Sequence, residues 1–321
     1  MLFHPYVRCL PTFLAERGRE FDVIVLSRHY IAAKHLSSVR SFAPQALLVF
    51  DTVDLHFLRA ERLAELEGGA MAKAGARAKR EEEIALIRKS DLTLVVSPVE
   101  KALLGRVVPG ADVAIVSNVH EIMPGGKPYA EREGLVFIGG FQHPPNTDAV
   151  LWYAQRVLPH VRRLLPGVKT YIVGADPPAT LRELAGPDFI VAGHAPDIAP
   201  FFTGTRLSIS PLRYGAGVKG KVNLAMSYGL PVVATTSSVE GMHLTPEADV
   251  LVADEPLQFA EAIARAYRDE TLWHRLAEGG RANVRAHFSR DVARTALASV
   301  LARTRAAERA RSTSASLVSA A

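Results

Sequence analysis

Lys219 and Lys221 stand in a glycine-rich turn whose residue types and spacing suit a bound anion. The segment is Pro211–Thr235, PLRYGAGVKGKVNLAMSYGLPVVAT. It reads as the end of a buried strand, a turn carrying Gly215, Gly217 and Gly220, a small-residue helix, and a second buried strand. Glycines let the backbone approach an anion closely, and the N–H groups and dipole of the first helical turn favour negative charge there. Lys219 and Lys221 add point charges, and Arg213 adds a guanidinium suited to bidentate phosphate contact. The same glycines also suit close helix–sheet packing, so alone they leave both readings open. The turn comes late in the chain, after several strand–helix units, and no acidic residue ends the next strand, so it is not the dinucleotide fingerprint. It holds no G-K-[ST] and is not a P-loop. A second constellation follows an earlier apolar run: VFDTVDLHFLRAER (49–62) places Asp51, Asp54 and His56 in one strand-end loop. Such loops carry function more often than cores do, although Asp51 also suits a turn cap and a histidine there also suits a structural role.

The elements that position these residues follow from hydrophobic patterning. Short continuous apolar runs occur at Val23–Leu26, Leu47–Phe50, Leu92–Val96, Val113–Val116, Leu135–Ile138, Thr170–Val173, Phe189–Val191, Leu207–Ser210, Val232–Ala234 and Val250–Val252. Helical stretches alternate with them, notably Ala70–Lys89, Pro256–Arg268 and Glu270–His287. Strands buried on both faces and alternating with helices imply α/β units with parallel sheets. The polar, unperiodic segment Glu121–Gly134, with two prolines and three glycines, has the composition of a linker. The expected organisation is a first domain over 1–125, a second over 134–300, and a disordered tail over 301–321. The first domain has four strands against six and reads as shortened.

Composition narrows the function classes. The chain has 321 residues, 48% hydrophobic and 22% charged, the profile of a soluble two-domain protein. Its single cysteine, Cys9, excludes an internal disulfide and fits a reducing, cytoplasmic compartment. No apolar run reaches the roughly 20 residues of a membrane helix, and the N-terminus lacks a signal-peptide pattern. The net charge of +5 comes without the Cys/His spacing or interleaved aromatics of nucleic-acid modules, so no nucleic-acid partner is expected. The excess fits a solvated face, or weak attraction to the anionic inner face of a membrane.

Four motifs in order, GLVFIGGFQHPPNTDAVLWY (134–153), VKTYIVGADPP (168–178), IVAGHAPDIAPFF (190–202) and the Pro211 segment, resemble the retaining glycosyltransferases of family 4, the GT-B group called glycosyl transferases group 1. The resemblance spans roughly Phe21 to Ser289 and is strongest from Gly134 onward. It implies a GT-B fold of two Rossmann-like domains whose parallel sheets face each other across a cleft. The activity it implies is sugar transfer from a nucleotide-diphosphate donor to an acceptor hydroxyl with retention, without metal or cofactor, in glycan or polysaccharide synthesis. The implied partners are a nucleotide sugar and a glycan or lipid-linked acceptor, with peripheral membrane association compatible with the basic surface.

By the same resemblance the donor phosphates face the backbone of Gly139, Gly140 and Phe141, and the nucleotide base faces the loop of Gly193, His194 and Asp197. Arg213, Gly215, Gly217, Val218, Lys219 and Lys221 form the diphosphate cradle, and Glu240 faces the donor. His56 and Asp54 are the catalytic candidates. Two departures stand out. The arginine and lysine that relatives carry after the first glycine loop are replaced by FQHPPNTDAV, where Asn146 reads as a helix N-cap. The two glutamates that relatives place eight residues apart correspond to Ala216 and Leu224, neither of which accepts a hydrogen bond from a ribose. A degenerate, non-catalytic nucleotide-sugar binder or scaffold is therefore the alternative.

Overall fold

The structure, a computed structural model, describes Val7 and residues 9–303. It packs into two compact units, one running to Ser117 and resumed from Ala293, the other Asn118–Val292. The first unit holds β1 (Val23–Ser27), β2 (Leu47–Asp51), β3 (Leu92–Val95) and β4 (Val113–Ile115), with α1 (Leu10–Arg17), α2 (His29–Phe42), α3 (His56–Glu67), α4 (Ala70–Lys89) and α5 (Pro98–Val107). The second holds β5 (Leu135–Ile138), β6 (Thr170–Val173), β7 (Phe189–Gly193), β8 (Leu207–Ser210), β9 (Val232–Ala234) and β10 (Leu251–Val252). Its helices are α6 (Pro144–Trp152), α7 (Leu158–Leu164), α8 (Ala179–Arg182), α9 (Ala199–Gly204), α10 (Gly220–Ser227), α11 (Thr236–Val239), α12 (Pro256–Arg268) and α13 (Glu270–His287). Among the described residues no helix is long and apolar enough to cross a membrane.

Both sheets are parallel throughout. The first runs β1-β2-β3-β4 and the second β10-β9-β8-β5-β6-β7. In the second sheet the strand order reverses between β5 and β8, and ligands of open α/β sheets bind at the carboxyl ends of strands at such a switch point. Successive side chains of a strand go to opposite faces. Leu135 and Phe137 of β5, with Leu207 and Ile209 of β8, therefore meet Phe259 and Ile263 of α12. Val136, with Val232 and Ala234, meets Val222, Ala225 and Met226 of α10 on the other face. Burial on both faces is what makes these strands read as continuous apolar runs, and it fixes α10 directly behind the switch point.

The segment read as a linker is instead docked onto the second unit. Arg132, 2% exposed, donates from Nε to the carbonyl of Lys127 (2.6 Å) and from Nη1 to those of Phe202 (2.9 Å) and Thr205 (3.0 Å), and its guanidinium lies 5.2 Å from the Trp273 ring. Burial pushes its pKa down to about 10. A charge held this deep is retained because the carbonyls it meets would otherwise be unpaired. Arg132→Leu should therefore lower the stability of the second unit by on the order of 3 kcal/mol or more, read as a lower urea midpoint for that unit's transition.

The C-terminal limits also differ from the expected 300 and 301. Residues 290–303 are helical, and Val300 packs with Val49, Leu92, Leu94 and Ala114 on the first sheet. This stretch thus belongs to the first unit from Ala293 onward, and the buried Val300 ties the helix to the sheet where the composition reads as tail. The rest of the expected tail, 304–321, lies outside the described residues.

Candidate functional site

In the second unit every predicted site residue falls on the carboxyl edge of the sheet. The segments that leave β9, β8 and β5 carry, respectively, Glu240, the Arg213–Lys221 stretch running into α10, and Gly139–Phe141, while Gly193 ends β7 and His194 follows it. The β8 loop is anchored at its root. The Ser238 hydroxyl accepts the Leu212 N–H at 3.2 Å and donates to the Ser210 carbonyl, while the Thr235 hydroxyl donates to the Leu212 carbonyl. Gly217 has φ +67, a left-handed conformation that side chains disfavour. Lys219 is the N-cap residue of α10, with no side-chain cap, and its buried Nζ donates to the Gly217 carbonyl at 2.7 Å.

Lys221 enters from the first turn of α10. Its Nζ donates to Asn146 Oδ1 and lies 4.4 Å from the Phe137 ring centroid. Burial, with Lys219 beside it, pushes its pKa down to about 7. Asn146 Nδ2 in turn donates to the Gly140 carbonyl at 2.7 Å. Asn146 is therefore not the N-cap expected of it. His143 takes that position, and Asn146 is buried inside α6 as the bridge between the β5 loop and Lys221. A Cβ at Gly139 would lie 2.8 Å from Asn146 Nδ2 and 2.9 Å from Lys221 Nζ, so a side chain there would displace this bridge.

Three expectations change in detail. The backbone N–H groups of Gly139 and Phe141 are already used, donating to the carbonyls of Val173 (3.0 Å) and Ala175 (3.1 Å), so these two bind the β6 loop rather than an anion. Gly140 faces open space. Arg213 is exposed and pairs with Asp148 on α6 through both Nε and Nη2, apart from the two lysines. At β7, Gly193 has φ +69 and its carbonyl accepts the Gly174 N–H at 2.8 Å, His194 is exposed, and Asp197 accepts the Ala199 N–H at 2.9 Å as a cap-like contact. Val218 is half-buried and Glu240 ends α11. Leu224 packs into the apolar cluster beside α10, and neighbouring Asn223 is fully buried.

Sequence reading missed Asn118 and His120. Asn118 Nδ2 donates to the Val218 carbonyl at 3.2 Å, and both side chains lie against Gly220 at the start of α10. Nothing in SNVH marks them, because the contact spans about a hundred residues of chain.

In the first unit Asp54 and His56 come together after β2. His56 is the first residue of α3, 7% exposed. Arg59 Nη2 lies 2.9 Å from its Nδ1, and Arg59 Nη1 pairs with Asp54. A guanidinium only donates, so Nδ1 accepts and the neutral ring carries its proton on Nε2. That atom is 3.2 Å from Asp54 Oδ1 but off the line of a hydrogen bond. Asp51 behaves as a turn residue, accepting from Ser27 Oγ (2.6 Å) and the Val53 N–H (3.2 Å).

Two buried carboxylates hold this loop. Glu83 of α4 accepts the N–H groups of His56 (3.3 Å) and Phe57 (2.7 Å), and Glu100 of α5 accepts those of Leu55 (3.1 Å) and Val96 (3.2 Å). Burial, the largest cause, raises Glu83 to about 7, with Asp54 and Glu100 adding to the rise. A folded-state value above the ordinary one means stability that is full below the ordinary carboxylate range and lost as pH rises through about 7. Between pH 5 and 8 the first unit should lose on the order of 2–3 kcal/mol, and Glu83→Gln should flatten that slope in denaturant titrations.

The two-sheet parallel α/β architecture is the GT-B fold, and its relatives agree. Over 94% of its length the chain resembles sucrose-phosphate synthase from Thermosynechococcus elongatus (82% of that chain, TM-score 0.71, 18% identity). It also resembles Anabaena HepE in complex with UDP (91% of this chain, 82% of that one, TM-score 0.72, 14% identity). S. aureus TarM matches over 92% of this chain and 57% of its own, with a TM-score of 0.74 and 12% identity. Residues 132–269 match the family model for glycosyl transferases group 1. A Klebsiella pneumoniae protein described as an uncharacterized 44.6 kDa protein in the cps region is 28% identical over 138 residues, 40% of this chain. The chain spans about a third (36%) of the length of that relative and just over half of TarM. Together the family match and the fold support a glycosyltransferase of the GT-B fold.

Proposed function

We propose that the protein transfers a sugar from a nucleotide-diphosphate donor to an acceptor hydroxyl with retention, in the synthesis of a cell-envelope glycan or polysaccharide. The observation that carries this is the pair of lysines, Lys219 buried and Lys221 half-buried, at the uncapped start of α10, at the switch point of the second sheet. Lys219, Lys221 and the first N–H groups of α10 hold the diphosphate. As the bond from the sugar's anomeric carbon to the diphosphate oxygen breaks, negative charge grows on that oxygen, and these groups stabilise it more in the transition state than in the ground state. The acceptor oxygen bonds the anomeric carbon on the same face, and the departing diphosphate takes the acceptor's proton. No metal or cofactor enters, since two cations and a helix terminus supply the positive field. Gly193 and His194 lie where the base rests, and Glu240 faces the donor. His56 and Asp54 of the first unit orient the acceptor, which is a glycan or lipid-linked glycan.

HepE has been crystallised with UDP and with UDP-glucose, and TarM with UDP, which favours a uridine donor. A second reading, a weakened or inactive nucleotide-sugar binder, is favoured by the apolar Ala216 and Leu224. Incubation with UDP-, GDP- and ADP-sugars and a panel of glycan acceptors separates them. Acceptor-dependent nucleotide release supports the enzyme, binding without release supports the weakened relative, and absence of binding contradicts both.

A further inference from the structure

The first unit carries aromatic and imidazole groups beyond Asp54 and His56, at the carboxyl end of β1. His29 opens α2, whose N-cap, Arg28, has no side-chain cap bond and whose first turn has no acidic residue. Its ring centroid lies 4.3 Å from that of His56, and the ring of Tyr30 meets it edge-on at 5.6 Å. Tyr30 is 53% exposed, although it is a large aromatic beside the half-buried His29 and the buried His56. His29 Nδ1 and His56 Nε2 are both buried, and neither finds a hydrogen-bond partner among the described residues. Both loops that present these rings hold a non-glycine residue in the left-handed region, Arg28 at φ 76 and the β-branched Val53 at φ 64. Such backbone persists only when its surroundings impose it.

The chemistry of the two orphaned nitrogens narrows what they take. His56 Nε2 carries the ring proton, because Nδ1 faces Arg59, so it offers a donor and no lone pair to a cation. The guanidinium of Arg59 repels a cation further. An anion is disfavoured in turn by Asp54 Oδ1, 3.2 Å from His56 Nε2. A neutral hydroxyl, which both donates and accepts, satisfies His56 Nε2–H and His29 Nδ1 together. A ring carrying that hydroxyl and an apolar C–H face would lie on the exposed face of Tyr30.

We propose that Tyr30, His29 and His56 form a pyranoside subsite in the first unit, with a sugar hydroxyl bridging the two imidazoles and the sugar ring resting on Tyr30. It rests on the glycosyltransferase reading and names the residues that recognise the acceptor sugar, His29 and Tyr30 adding to His56.

The test uses the full chain labelled with 15N, its imidazole signals, methyl α-D-glucopyranoside as the sugar probe and UDP as a separate probe. The glycoside should shift the His29 and His56 ring signals. Tyr30→Ala, which removes an exposed ring, and His29→Phe, which keeps the ring packing without the nitrogens, should each weaken glycoside binding by roughly tenfold. UDP affinity should be the same in all three proteins. If the glycoside leaves both rings unshifted, or binds the variants as well as the wild type, the subsite is wrong whatever UDP does. If UDP fails to bind while the glycoside shifts both rings, the donor assignment falls and the sugar subsite stands.

Discussion

Replacing Lys219 and Lys221 together by methionine is expected to weaken UDP binding by roughly a hundredfold or more, with the fold kept. Methionine retains the apolar stem of each side chain, so the packing of Lys221 against Phe137 survives, and what is lost is the charge and the bonds to the Gly217 carbonyl and Asn146 Oδ1. Each single variant should lose less, because the α10 N–H groups and the other lysine remain. The pH dependence provides a check that a purely structural role would not mimic. Lys221, with a pKa pushed down to about 7, is charged below that value and increasingly neutral above it. A diphosphate favours the charged form, so binding takes up a proton and UDP affinity should fall above about pH 7, by at most about tenfold per pH unit. Calorimetry in buffers of different ionisation enthalpy reads that proton. In Lys221→Met the proton uptake should vanish.

The second large effect belongs to the first unit. His56→Ala is expected to lower acceptor-dependent sugar transfer by about 10²–10⁴-fold while leaving UDP affinity unchanged. The ring is held by Arg59 at Nδ1 and by the ring of His29, and its backbone N–H is tied to Glu83. A side chain pinned this way is positioned for one orientation of its Nε2–H, and that is the property the substitution removes. Arg59→Met, which frees the tautomer without deleting the ring, should produce a smaller loss of transfer and an altered pH–rate profile. Steady-state assays with the donor saturating distinguish the two, since an orienting role moves kcat with the acceptor and leaves the donor KM in place.

The strands were legible because parallel strands buried on both faces announce themselves as short apolar runs. All ten lie within two residues of the runs that marked them. The glycine turn was legible as a strand-to-helix transition, and the switch point places it where a ligand belongs. What lay beyond reach depended on partners distant in the chain. Arg132 sits in a stretch of linker composition, and only carbonyls some seventy residues away give it a reason to be buried. Glu83 is one of three consecutive glutamates, and the local sequence does not say which points inward. Its spacing of three and four from the buried Leu86 and Ile87 was the available signal, since such residues share a helix face. Asn146 fits a cap by type, but Lys221 recruits it from the other side of the switch point. The pairing of His29 with His56 joins the ends of two adjacent strands, a contact no local pattern encodes.

The most direct test of the donor assignment is diffraction from crystals soaked in turn with UDP-, GDP- and ADP-glucose. The diphosphate of at least one donor is predicted at the start of α10, its oxygens within hydrogen-bonding distance of the Gly220 and Lys221 N–H groups and of Nζ of Lys219 and Lys221. A diphosphate bound elsewhere on the chain, with that helix start left to solvent, would contradict the account.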